Sequence, residues 1–263
     1  MQSLMGKRLL YLLGCSVLLA TTALGQSSLP VLQSNLIHKP LYLKGLWKTN
    51  KLKFNSAGVT TTPGGDAPFT LSGVDVNYVE FEGNGLVLTG TRMGIEFLPG
   101  LPRMALHQDV RIEIQGTPGT DFGPALDKIF SKDLASLVPG MPSFWQPIAR
   151  KYFLTPPQPA PPGMSLDPTP QDEHPDTLPV LTSEVPAVPN DSARALGYRG
   201  VTRIRLLVSA DGTPTNLRIV TACGMGLDEQ AVAAVTQYRY KPATLDGKPV
   251  PAEVVAVVKF QGY

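Results

Sequence analysis

The chain has 263 residues, 43% of them hydrophobic and 17% charged, which is enough for one large globular domain or two smaller ones. Its 23 basic and 21 acidic residues leave a net charge of only +2 with no dense basic block, which argues against nucleic-acid binding. The two cysteines, Cys15 and Cys223, supply neither a disulfide framework nor a zinc-type spacing.

Residues 1–25 have the pattern of a signal peptide. Lys7 and Arg8 precede an apolar run of about 16 residues, and Ala23-Leu24-Gly25 is a small-x-small cleavage site before Gln26. The sequence therefore predicts export across the cytoplasmic membrane and removal of this segment.

Two alternatives to a cleaved signal peptide remain open. In the first alternative, the run stays uncleaved as an inner-membrane anchor, and the rest of the chain faces the periplasm. The run is shorter than the roughly 20 residues of a typical membrane-spanning helix. In the second, Leu12-Leu13-Gly14-Cys15 is a lipoprotein cleavage box.

After a flexible lead-in over residues 26–36, strand patterns dominate a β-rich domain at 37–154. The predicted strands cover residues 41–48, 51–54, 69–82, 86–97 and 110–114, with glycine-rich turns between them. This pattern favours an antiparallel sheet or open barrel. Apolar stripes then predict a helix over residues 124–138 and a second over 143–153, which we expect to cover one face or end of the sheet.

Residues 155–190 form a proline-rich linker, with 11 of the chain's 26 prolines. An extended polyproline chain of this length reaches at most about 110 Å. Because the linker has few apolar side chains, we expect residues 37–154 and 191–263 to fold independently, without a shared core. A short helix at 191–196 leads into the last block.

The last block alternates at period two over residues 201–208, turns at Asp211-Gly212 and returns as a second strand. An apolar stripe from Leu227 predicts a helix that ends near Tyr240, before Pro242. Asp246-Gly247 turns the chain into a final strand over 252–261. The predicted fold class is α+β, and the order of this block is β-β-α-β with an antiparallel sheet.

Four motifs of this block resemble the C-terminal domain of TonB-family energy transducers, over about residues 185–263. They are Gly200-Val-Thr-Arg-Ile-Arg-Leu-Leu-Val-Ser-Ala-Asp-Gly, Gly226-Leu-Asp-Glu-Gln-Ala-Val-Ala-Ala-Val, Tyr238-Arg-Tyr-Lys-Pro-Ala and Asp246-Gly-Lys-Pro-Val-Pro. The resemblance implies a periplasmic binding protein, not an enzyme and without a cofactor. Its implied partner is the N-terminal segment of an outer-membrane TonB-dependent transporter.

The closing strand is the candidate docking edge, because an extended peptide adds to an exposed edge as a further strand. The predicted partner-binding residues are Val254, Val255, Ala256, Val257, Val258, Lys259 and Phe260. Alternation places Val254, Val258 and Phe260 on one face and Val255 and Val257 on the other.

The chain also departs from the family pattern, because a β-rich block precedes the linker and the N-terminal run is short. Coupling to the ExbB–ExbD motor therefore requires that this run remain as an anchor. The alternative function is a non-energised periplasmic adaptor or envelope-assembly module. No catalytic or metal-binding motif surrounds His38, His107 or His174. Cys223 is predicted to be a buried small hydrophobe, and the alternative is a thiol that pairs with another chain in an oxidising compartment.

Overall fold

A computed structural model describes residues 28–60, 67–168 and 174–261. The predicted signal peptide at 1–25 lies outside these residues. Within the described ranges, no helix is long and apolar enough to cross a bilayer.

The predicted flexible lead-in is wrong over most of its length, because helix α1 occupies Leu29–Leu36. Pro30 lies in the first turn, where its missing N–H costs no helical hydrogen bond. Leu32 and Leu36 are buried in the core of the block that follows. Their burial stabilises a helix that is too short to persist alone.

The β-rich block is built on one six-stranded sheet in the order β2-β5-β4-β3-β1-β6. Its strands are β1 (Leu41–Leu43), β2 (Lys51–Phe54), β3 (Gly73–Glu82), β4 (Gly85–Ile95), β5 (Arg103–Ile114) and β6 (Phe130–Ser131). The pairs are antiparallel, as predicted, except that β2 runs parallel to β5. The β-rich character of this block is thus confirmed.

A first hydrophobic core fills one face of this sheet. Helices α1 and α2 (Gly123–Ile129) contribute side chains to it, together with strands β1 to β5. The helix predicted to continue to residue 138 ends at Ile129, because Phe130 and Ser131 pair with β1. A 3₁₀ turn at Ala135–Gly140 follows, and the Asp133 carboxylate accepts a 2.8 Å hydrogen bond from the Ser136 N–H as the turn begins.

The second predicted helix is confirmed as a 3₁₀ turn at Ser143–Trp145 that runs into helix α3, Gln146–Tyr152. The rest of the described chain contains β7 (Val180–Ser183), α4 (Asp191–Ala195), β8 (Gly200–Val208), β9 (Pro214–Thr221), α5 (Leu227–Val235), β10 (Arg239–Lys241), β11 (Ala243–Leu245), β12 (Lys248–Val250) and β13 (Ala252–Phe260). The predicted β-β-α-β order is present as β8, β9, α5 and β13.

Strands β13, β8 and β9 form an antiparallel sheet in that order. The predicted alternation holds in β8, where Thr202, Ile204, Leu206 and Val208 are all buried. Asp246 and Gly247 both have positive φ in the turn between β11 and β12, as the Asp-Gly signal predicts.

The predicted helix end near Tyr240 is wrong, because α5 ends at Val235 and residues 239–241 form β10. Strand β10 pairs antiparallel with β7, which comes from the proline-rich linker. The Thr182 hydroxyl also donates a 2.9 Å hydrogen bond to the Arg239 carbonyl. The linker is therefore fastened to the last block and is not free along its whole length.

A second hydrophobic core joins the two blocks, which corrects the expectation that they lack a shared core. The β-rich block contributes Tyr42, Phe69, Ile95, Leu134, Leu137, Val138, Met141, Trp145, Ile148, Ala149 and Phe153. These side chains form one cluster with the buried faces of β8, β9, α5 and β13. The sharing arises because α3 and the 3₁₀ turn before it, which join a cluster that includes Tyr42 of β1 and Ile95 of β4, also contact β9.

Because of this common core, we predict that the blocks unfold in one cooperative transition. Tryptophan fluorescence, which reports on Trp47 in the first core and Trp145 in the second, should give the same denaturation midpoint as far-ultraviolet circular dichroism. Two separated transitions would show instead that each block is stable without the other.

Candidate strand-addition site

Strand β13 is an edge strand of the β13-β8-β9 sheet. It pairs with β8 along its whole length, from Ala252 opposite Val208 to Phe260 opposite Gly200. In the part of the chain that the structure describes, β8 is its one strand partner. A row of β13 backbone N–H and C=O groups is therefore available to pair with another strand.

The seven predicted partner-binding residues divide between two faces of β13. Ala256, Val258 and Phe260 are buried in the shared core, and Val254 is partly buried against it. Val255 and Val257 are 42% and 46% exposed, and Lys259 is also exposed. The buried members hold the strand in place, while the exposed members can contact a partner directly.

The opposite edge of the same sheet, strand β9, is covered. Helix α3 and the preceding 3₁₀ turn contact β9. The Asn216 side-chain amide donates a 2.8 Å hydrogen bond to the Gly163 carbonyl, so the linker also crosses this edge. Of the two edges, β13 is the one that offers room for an added strand.

Charge on the outer face of the sheet is distributed unevenly. At the start of β13, the Glu253 carboxylate lies 3.8 Å from Arg205 and accepts a hydrogen bond from the fully buried Arg218. The Arg218 Nε also donates a 2.6 Å hydrogen bond to the linker carbonyl of Ser165. Towards the end of β13, exposed Lys259 makes that part of the edge basic.

Comparison with protein families identifies the block that carries this edge. The model of the family described as Gram-negative bacterial TonB protein C-terminal matches residues 190–261. Residues 190–261 are a TonB-family C-terminal domain. The predicted resemblance is thereby confirmed for this part of the chain, which we call the TonB-type domain.

Among solved structures, a solution NMR structure of the Pseudomonas aeruginosa TonB C-terminal domain is similar to this chain at 19% sequence identity. The match covers 33% of this chain and 88% of that one, with a TM-score of 0.28. The comparison with curated proteins found no match.

Behind the β13 edge, a buried carboxylate ties together three parts of the TonB-type domain. Asp228, in the first turn of α5, is fully buried and accepts hydrogen bonds from the Thr202 hydroxyl at 2.6 Å and from the N–H groups of Cys223 at 2.9 Å and Gly224 at 2.7 Å. Burial raises the pKa of this carboxyl to about 6, although the three donors favour its charged form.

The sequence pattern did not predict this role for Asp228, because a carboxylate in a first helical turn is ordinarily solvated. Cys223 beside it is buried, as predicted, and desolvation raises the pKa of its thiol. The described residues include no cluster of histidine, cysteine and carboxylate side chains able to hold a metal ion.

We predict that Thr202→Val destabilises the TonB-type domain by about 1–3 kcal/mol, because it removes one donor to a buried carboxylate while keeping the side-chain volume. Chemical denaturation measures this loss. Thr221→Val, at a half-buried position on β9, is the matched control and should change the free energy of unfolding by less than about 0.5 kcal/mol. Equal losses in the two variants would contradict the role assigned to the hydroxyl.

Proposed function

We propose that this protein is a periplasmic binding protein whose TonB-type domain captures a short segment of an outer-membrane TonB-dependent transporter and so supports transport across that membrane. The observation that carries the proposal is the β13 edge, which pairs with β8 on one side and with no other strand of the described residues. An extended segment would add beside β13, with backbone hydrogen bonds supplying affinity.

Side chains on the outer face of β13 provide a basis for selectivity. Val255 and Val257 project from the same face, two residues apart, so a partner strand would present apolar side chains beside them. Ala256 lies between them and, like Val258 and Phe260, is buried in the shared core, which anchors the strand. A preformed edge of this kind reduces the entropy lost when the partner binds.

A second candidate function is a non-energised periplasmic adaptor or envelope-assembly module. The shared core favours it, because the TonB-type domain is packed on the β-rich block and its linker is fastened through β7. An energised transducer would also have to contact the ExbB–ExbD motor through an anchor that stays in the inner membrane. The two candidates use the same β13 edge and differ in what lies at the N-terminus.

To test the docking edge, we predict that Val257→Pro abolishes binding of a transporter peptide, whereas Val257→Thr changes the affinity by less than about threefold. Proline lacks the N–H and distorts a paired strand, whereas threonine keeps the backbone donor and the β-branched shape. Calorimetric titration of the peptide measures both effects.

Circular dichroism and a thermal melt of each variant accompany this titration, since proline can also unfold the domain. A folded Val257→Pro protein that binds the peptide like the parent would rule out β13 as the docking site. As a second readout that does not depend on proline, cysteines placed at 255 and 257 should form disulfides with every second position of a cysteine-scanned peptide.

To test the cellular location, the protein is recovered from the periplasmic fraction and its intact mass is measured. We predict a mature chain that begins near Gln26, because the cleavage pattern ends at Gly25. A full-length mass in the membrane fraction would contradict this prediction and restore the anchored, motor-coupled alternative.

A further inference from the structure

A single carboxylate of the TonB-type domain is held by the β-rich block. Glu229, next to Asp228 in the first turn of α5, accepts a 2.9 Å hydrogen bond from the Trp145 indole N–H through Oε1. The same oxygen accepts a 3.3 Å hydrogen bond from the backbone N–H of Phe69. Both donors belong to the other block, so this carboxylate lies within the junction between the two.

The second oxygen of Glu229 is buried without a partner. Oε2 is shielded from solvent and has no hydrogen-bond partner among the described residues. A charged carboxylate in this position loses its hydration and recovers only part of it through two donors to Oε1. The site therefore favours the neutral carboxylic acid.

Among the residues that the structure describes, those that face Glu229 do not include a compensating positive charge. On its own helix, the neighbouring carboxylate of Asp228 repels a second negative charge. The segment at 69–71 presents a backbone N–H, and the turn at 143–145 presents an uncharged indole. Further along α3, Arg150 donates hydrogen bonds to Gln146 and Gln158, while Lys151 lies over the ring of Tyr152.

Two effects raise the pKa of the Glu229 carboxyl to about 8. The larger is desolvation by burial, and the smaller is repulsion by the Asp228 carboxylate. The two hydrogen bonds to Oε1 oppose this shift but do not cancel it.

Besides a side-chain hydrogen bond between Glu96 and Tyr198, three further hydrogen bonds of the junction involve groups that do not ionise near neutral pH. The Phe97 N–H donates to the Cys223 carbonyl at 3.0 Å, the Met225 N–H to the Ile95 carbonyl at 2.9 Å, and the Gly226 N–H to the Thr70 hydroxyl at 2.8 Å. Around them, the fully buried Trp145 ring packs edge-on against Phe69, with ring centroids 4.5 Å apart. These contacts close the junction, and Glu229 is a titratable group at its centre.

We propose that Glu229 is a proton-controlled latch, whose neutral carboxyl holds the β-rich block against the TonB-type domain and whose ionisation loosens the junction between them. This role of Glu229 does not depend on which partner binds to β13. It assigns to Glu229 a role in the arrangement of the two blocks.

The sign of the effect follows from proton linkage. The closed junction holds the proton up to pH about 8, whereas a solvated glutamate in the opened junction loses it above about 4.3. The closed form is thus most stable at acidic pH and loses stability as the pH rises between these values. With one proton involved, the ratio of open to closed molecules rises by up to about tenfold per pH unit, and it levels off above the upper value.

Hydrogen exchange with mass spectrometry on the full chain between pH 5 and 9, corrected for the intrinsic exchange rate, tests the latch. Peptides that cover residues 67–73, 143–153 and 223–230 should open increasingly with pH, while β8 and β13 serve as an internal reference and stay protected. Trp145 fluorescence in a Trp47→Phe background gives the same transition independently.

Glu229→Gln should abolish the pH dependence between pH 6 and pH 8, above the raised pKa of about 6 of Asp228, because an amide keeps the acceptor for Trp145 and cannot ionise in this range. Glu80→Gln, which changes an exposed carboxylate on β3, is the matched control and should keep the dependence of the parent. If Glu229→Gln is poorly folded, Trp145→Phe is a second variant that tests the role of Glu229. It removes a donor that favours the charged form, so the transition should move to higher pH.

Three outcomes would overturn the proposal. One is a parent protein whose junction opens equally at pH 5 and pH 8. Another is a folded Glu229→Gln variant that keeps the pH dependence. The third is a loss of protection in β8 and β13 that accompanies opening at every pH, because this would indicate global unfolding instead of a junction that loosens.

Discussion

The second hydrophobic core is the constraint on which the rest of the structure depends. The apolar faces of β8, α5 and β13 need a cover, and the segment around Trp145 supplies part of it. Burial of a fully enclosed tryptophan is among the largest single contributions a side chain makes to such a core. The TonB-type domain is therefore held in place by the block that precedes it.

This packing also determines which edge of the three-stranded sheet stays open. The same segment that covers the core places α3 and the linker against β9, so that edge is closed. Strand β13 lies at the opposite side, with its apolar residues anchored inward and Val255 and Val257 outward. An edge strand whose apolar residues are anchored in a core is preformed, which reduces the entropy lost when an extended segment binds to it.

The two neighbouring carboxylates of α5 show how one sequence motif acquires two different roles. Asp228 is satisfied by three donors within its own domain and braces the loop before the helix. Glu229 is turned towards the other block, and the described residues offer donors to one of its two oxygens. The difference arises from what packs against each side chain, since both occupy the first turn of the same helix.

The sequence by itself determined the elements with a clear hydrophobic periodicity, because side-chain alternation and turn residues affect the backbone only within a few neighbouring positions. It predicted β8 and β13 with their inward and outward faces, the Asp246-Gly247 turn and the TonB-family match. Only the tertiary structure decided that residues 29–36 form a helix, that α5 stops before β10, and that the Oε2 atom of Glu229 is shielded from solvent. Each depends on a distant segment: the donor to Glu229 is Trp145, 84 positions away, and no local pattern encodes that contact.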